Sequence, residues 1–89
     1  MHRIECLITG KVQGVFFREF TKEQADTLGI VGEITNHKDG TVFLVAEGEK
    51  SILENFITRL SKGPESARVA NVSVAWGKPA GAYNFFSIS

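Results

Sequence analysis

Apolar and polar residues alternate one by one from Ile4 to Thr9. Ile4, Cys6 and Ile8 share one face, while Arg3, Glu5, Leu7 and Thr9 share the other. That predicts a strand, ending in a loop bracketed by glycines, Gly10-Lys11-Val12-Gln13-Gly14. The spacing then turns helical: Phe17, Phe20, Thr21, Gln24, Ala25 and Leu28 lie along one side, and Gly29 stands where a left-handed helix stop is wanted. A helix is predicted over Phe17–Leu28. Alternation returns over Ile30–Asn36 and Thr41–Glu47, two strands joined through Lys38-Asp39-Gly40, whose Asp and Gly suit a tight turn. Ile52, Leu53, Phe56, Ile57 and Leu60 form a second helical stripe, closed by Gly63-Pro64. Arg68–Trp76 reads as a fourth strand with Val72, Val74 and Trp76 on one face. After a Gly77–Gly81 loop, Asn84–Ser89 suits a short edge strand through Phe86 and Ile88.

The order is strand, helix, strand, strand, helix, strand. Its usual solution is the ferredoxin-like split βαβ sandwich (βαββαβ), an α+β fold with two helices on one face of an antiparallel sheet, here with a short fifth strand at the C-terminus. Strands one and two, joined through a helix, run parallel with strand three between them. Their ends therefore emerge at the same edge. That edge gathers the Gly10–Gly14 loop, the start of the first helix and the Asn36–Gly40 turn, so Arg18 and Asn36 become spatial neighbours.

Composition narrows the picture. Eighty-nine residues give one domain, residues 1–89, without room for a second core. Ten basic and ten acidic side chains cancel. No broad field draws nucleic acid or an anionic membrane, and any anion recognition must be local. A single cysteine, Cys6, excludes an internal disulfide and fits a reducing compartment. No apolar run is long enough to span a bilayer, and the N-terminus carries no signal-peptide core. The expectation is a cytoplasmic monomer with neither nucleic-acid nor membrane partners.

Several chemistries are absent. Gly14 is followed by Val15 and Phe16, not by the Lys-Ser/Thr of a Walker A loop. Where a cysteine phosphatase carries arginine after its nucleophile stands Val12, and Cys6 lies mid-strand on an apolar face. His2 and His37 have no partners at metal-ligand spacing. No metal or other cofactor is expected. What remains is a glycine-framed loop opening a helix, with Arg18 in the first turn. Such a loop can form a nest of main-chain N–H groups, and arginine can offer a planar fork to two phosphate oxygens. On spacing alone, a tight turn with Arg18 paired to Glu19 or Glu23 accounts for the same residues. Asn36, equally, can be a cap for the turn that follows it.

The stretch Gly10-Lys11-Val12-Gln13-Gly14-Val15-Phe16-Phe17-Arg18 resembles the acylphosphatase signature, Val-Gln-Gly-Val, any residue, Phe or Met, then Arg. Gly32, Asn36, Gly40, Val42 and Gly48 reproduce the spacing of that family's second motif. Thr21, Ser66–Val69 and Phe86-Ser87-Ile88 agree more weakly. The resemblance spans essentially the whole chain. It implies hydrolysis of the carboxyl–phosphate bond of a small-molecule acyl phosphate, giving carboxylate and inorganic phosphate by direct in-line attack of water. It also implies a catalytic pair at Arg18 and Asn36. The phosphate cradle carries over to the main-chain N–H groups of Gln13, Gly14, Val15, Phe16, Phe17 and Arg18. The chain departs from the family at Glu33, where an aromatic residue is usual, at Ile34 and Thr35, where small or basic types are usual, and at His37, where hydroxyl-bearing residues are common.

Other readings share the topology. An acylphosphatase-like module can process carbamoyl phosphate within a larger maturation protein, but the zinc-finger cysteines of that context are missing. An inactive binding domain is a second reading, motivated by Glu33. Binding of single-stranded RNA needs stacking aromatics on the central strands and a basic surface. Here strand three offers only Phe43, strand one offers none, and the net charge is zero.

Overall fold

A computed structural model describes residues 1–89. The elements are β1 (His2–Lys11), α1 (Phe17–Leu28), β2 (Val31–Asn36), β3 (Val42–Gly48), α2 (Lys50–Lys62), β4 (Arg68–Gly77) and β5 (Phe86–Ile88). The sheet order is β4-β1-β3-β2-β5. β3 lies antiparallel between β1 and β2, as the βαββ connectivity requires, and β4 pairs antiparallel with the other side of β1. β5 pairs parallel with β2, so the sheet is mixed at one edge and not wholly antiparallel. The reason is the path of the chain. β4 ends opposite Arg3 and β5 starts opposite Gly32, so the segment between them crosses the end of the sheet remote from the β1–α1 loop. β5 then runs back towards that loop and delivers Ser89 beside it.

Both helices cover one face. Ile4, Cys6 and Ile8 of β1, Val42, Leu44 and Ala46 of β3, and Ile34 of β2 are buried beneath Phe17, Thr21 and Ala25 of α1 and Leu53, Phe56 and Leu60 of α2. Phe56 meets Phe86 edge-on, with centroids 6.1 Å apart, which clips β5 to the core. Neither helix has a side-chain N-cap hydrogen bond. Helices this short are marginal alone, so packing of their apolar stripes holds them in place. At α1 this leaves the N-terminal N–H groups free for another use.

Three boundaries shift for local reasons. Ile30 falls in the C-terminal capping motif that follows α1 and not in β2, because its N–H donates to Ala25 O at 2.9 Å across left-handed Gly29. Thr41 belongs to the turn, since its N–H and its hydroxyl both donate to Asp39 Oδ1, at 3.0 and 2.6 Å. β1 continues through Gly10 and Lys11, because a bulge against β4 absorbs one extra residue between Asn71 and Val69. Gly10 has φ 123 there, and a Cβ on it would strike the Arg68 carbonyl and the Ala70 nitrogen. The loop proper therefore spans residues 12–16.

The open sheet face carries one buried charge. Glu47 is 1% exposed and accepts hydrogen bonds from Arg3 Nη1 (3.2 Å), Ala80 N (2.7 Å) and Gly81 N (3.3 Å), pinning the crossing segment. Burial pushes its carboxyl pKa up, but the Ala80 amide, the Arg3 guanidinium and the Gly81 amide outweigh burial and hold it below the ordinary glutamate value. A carboxyl lowered by folding stabilises in full above its unfolded-state pKa, and that contribution is lost as pH falls through the folded-state value. Glu47→Gln is therefore expected to lower the melting temperature at neutral pH, with the gap to the parent narrowing below the ordinary carboxylate range. Thermal melts across pH check this.

Candidate active site

The main chain between β1 and α1 is curled by two left-handed residues, Gly14 at φ 71 and Phe16 at φ 62, with Val15 between them at negative φ. Alternation of this kind turns successive N–H groups towards one side and forms an anion-binding concavity. Gly14 takes its conformation freely, and a Cβ there would meet nothing within 4 Å. Phe16 takes it at a cost, while its ring is 73% exposed. A strained main chain and an exposed aromatic at one residue give no stability, a combination that clusters at functional loops.

The N–H groups from Gln13 through Glu19 donate to no acceptor in the chain. The first bond of α1 runs from Phe20 N to Phe16 O at 3.0 Å, and no side chain caps the turn. A helix N-terminus carries partial positive charge, so these free donors and the dipole point to the same ligand, an anion. The loop is held from behind. Val12 and Val15 are buried, Ser66 Oγ donates to Val15 O at 2.7 Å, and Thr21 Oγ1 donates to Phe17 O at 2.8 Å.

A cleft of about 180 Å³ opens in front of the loop. Its walls are Val12, Gly14, Phe16 and Phe17, Arg18 and Glu19 of the first helical turn, and Asn36 at the end of β2. With about 30 Å³ per water in the liquid, this is room for a small polyatomic anion and a water. Arg18 makes no ion pair with Glu19 or Glu23; the pairs in the chain are Arg3–Glu5, Arg3–Glu47 and Lys22–Asp26. Instead Arg18 Nη1 donates to the main-chain oxygen of Ser89 at 2.9 Å, which steadies the guanidinium at the cleft wall. Asn36 does not cap its turn, a task done by Asp39. Its Oδ1 is buried and has no hydrogen-bond partner. A buried carbonyl oxygen of this kind costs free energy unless a ligand or water bonds to it.

Arg18 and Asn36, predicted from the topology to be neighbours, thus line one cleft, together with Gly14, Phe16 and Phe17. The side chains of Gln13 and Val15 lie outside it, and only their main-chain N–H groups are left for a ligand. Glu33 is exposed and faces away: β2 alternation puts Ile34 and Asn36 on the helix side and Glu33 on the other, where Tyr83 Oη donates to it at 3.4 Å. His37 is exposed and stacks on Phe43, centroids 5.6 Å apart, outside the cleft wall. Cys6 is buried, its thiol pushed up to about 12 by burial, so it is no nucleophile. Sequence reasoning missed Glu19 on the cleft wall, the Ser89 contact to Arg18 and the Gln13 side-chain bonds described below. Glu19 follows Arg18 at the helix start, which was a readable signal; the other two depend on distant chain segments.

Known proteins carry the same pattern. The family model described as Acylphosphatase matches residues 4–88. The chain is 45% identical to an acylphosphatase of Dehalococcoides mccartyi, over 99% of this chain and 98% of that one. It is 46% identical to an acylphosphatase of Thermus thermophilus, over 96% and 97%. The crystal structure of acylphosphatase from Bacillus subtilis superposes with a TM-score of 0.96 at 31% identity, covering 100% of this chain and 99% of that one. Matched over nearly its whole length by that family model and by relatives of the same name, this chain belongs to the acylphosphatase family.

Proposed function

We propose that the chain hydrolyses acyl phosphates with Arg18 and Asn36 as the catalytic pair and the N–H groups of Gln13 through Arg18 as the phosphate cradle. The observation that carries this reading is the run of unpaired N–H groups at an uncapped helix start, facing a buried, unpartnered Asn36 Oδ1. An acyl phosphate already has a good leaving group, the carboxylate, so no strong acid is needed. Phosphoryl transfer through a loose transition state asks for positioning and for stabilisation of charge on the phosphoryl oxygens. The loop and the Arg18 guanidinium supply the stabilisation. Asn36 Oδ1 accepts a hydrogen bond from water and holds its oxygen in line with phosphorus. The water oxygen bonds to phosphorus as the acyl C–O–P bridge breaks at phosphorus, the carboxylate leaves with the electron pair, and the water's proton passes to phosphate or solvent.

We expect a monomer, since the cleft walls named above need no second copy to complete them. A cytoplasmic location fits the one free, buried cysteine. No helix is long and apolar enough to cross a membrane. The direct test is hydrolysis of acetyl phosphate in water enriched in heavy oxygen. In-line attack on phosphorus puts the label into inorganic phosphate. Label in acetate means attack on the carbonyl carbon and overturns the mechanism.

A further inference from the structure

Gln13 sits next to the cleft, yet its side chain turns away from it. Nε2 donates to the main-chain oxygens of His37 at 2.6 Å and Thr41 at 2.8 Å. An amide nitrogen carries two hydrogens, and both go to one hairpin. The acceptors occupy telling positions. His37 follows Asn36, and Thr41 precedes Val42, the residue paired with Asn36 across the β2–β3 ladder. The turn closes on the same two oxygens, through His37 N to Thr41 O at 2.9 Å and Gly40 N to His37 O at 3.2 Å. Gln13 therefore grips both strands of the hairpin, one residue to the turn side of the Asn36–Val42 pair. At its other end, its main chain leads into left-handed Gly14, where the anion loop begins to curl. No other hydrogen bond joins loop 12–16 to this hairpin.

We propose that Gln13 is a positioning residue, whose side-chain amide straps the phosphate loop to the β2–β3 hairpin and so sets Asn36 Oδ1 relative to the bound phosphorus. The inference rests on Asn36 as the group that holds the attacking water. Without the strap, the loop keeps its N–H groups and Arg18, so phosphate still binds. The hairpin loses its tie to the loop, and the water no longer stands in line. A displacement of about 1 Å at such a centre can cost on the order of a hundredfold in rate. Gln13→Met fills the same space without a donor. Gln13→Glu keeps the shape but sets an acceptor-only carboxylate against two carbonyl oxygens.

The experiment compares the parent with Gln13→Met, Gln13→Glu, Asn36→Ala and the Gln13→Met/Asn36→Ala double variant. It measures kcat on acetyl phosphate, the inhibition constant of inorganic phosphate, and a thermal melt for each. Gln13→Met is expected to lose about tenfold in kcat, and Gln13→Glu more, while phosphate inhibition changes by less than about threefold. The double variant is expected to be no slower than Asn36→Ala alone, within about twofold, because Gln13 acts through Asn36. A drop in melting temperature with unchanged kcat would reduce Gln13 to a structural tie and overturn the proposal. Phosphate inhibition weakening in step with kcat would overturn it too, as would losses that multiply in the double variant. If Asn36→Ala retains full kcat, the catalytic assignment falls first and this inference with it; multiplied losses alongside an impaired Asn36→Ala remove this inference alone.

Discussion

Arg18→Ala is expected to lower kcat/KM for acetyl phosphate by about two to three orders of magnitude, the scale of losing one preorganised oxyanion donor, or roughly 3–4 kcal/mol of transition-state stabilisation. The loss should fall on both parameters. In the proposed mechanism the guanidinium meets the phosphoryl oxygens in the ground state and, more strongly, as charge spreads over them in the transition state. Arg18→Lys should recover little of it. A lysine carries the charge but not the planar fork, and its ammonium can still donate to the Ser89 oxygen that Nη1 now meets at 2.9 Å. That pair of variants separates the planar fork from charge and anchoring together. If lysine restores full activity, the planar fork is not what the reaction needs, and the two-oxygen grip assigned to Arg18 is wrong. Steady-state kinetics, with a thermal melt on each variant, decide between the two.

Asn36→Ala should divide differently. Asn36 is read as touching the attacking water and not the phosphate, so kcat is expected to fall by about a hundredfold or more while inhibition by inorganic phosphate stays within about threefold of the parent. Folding should not suffer, because Asn36 Oδ1 has no partner in the chain and removing it takes away a buried polar atom left unsatisfied. A variant as stable as the parent, binding phosphate normally yet nearly inactive, is the expected result. Undiminished kcat removes Asn36 from the mechanism. Weakened phosphate inhibition with kcat intact would make it a phosphate ligand instead.

Much of this was legible in the chain, and the parts that were not share a cause. The bounds of α1 follow from the Phe17–Leu28 stripe and Gly29 because helix periodicity and a left-handed stop are local properties. Likewise the meeting of Arg18 and Asn36 follows from connectivity: a helix between β1 and β2 forces them parallel and brings their ends to one edge. Three residues of β5 carry no signal for direction, so the parallel pairing with β2 had to come from the path of residues 78–85. Glu47 continues the alternation of β3 on the open face, where a charged residue ordinarily meets water. It is buried because that same crossing segment lies over it and bonds to it. The glycine-framed loop is the intermediate case. Its spacing allowed a plain turn as readily as an anion nest, and only the resemblance to a known signature tipped the reading. In the folded chain the loop shows free N–H groups, a strained Phe16 and no helix cap.

Glu33 shows how a departure from the family pattern becomes interpretable. In the sequence it motivated the reading of an inactive binding domain. Strand alternation settles the matter by placing it across the sheet from Asn36, exposed and beside Tyr83. The carboxylate that does reach the cleft wall belongs to Glu19.

The most direct measurement is a titration of the protein with inorganic phosphate followed through its main-chain amide NMR signals. A saturable response centred on the N–H groups of Gly14 through Glu19, extending to Asn36 and abolished by Arg18→Ala, is the predicted result. Phosphate that leaves these amides unmoved, or perturbs a different face of the sheet, would contradict the account.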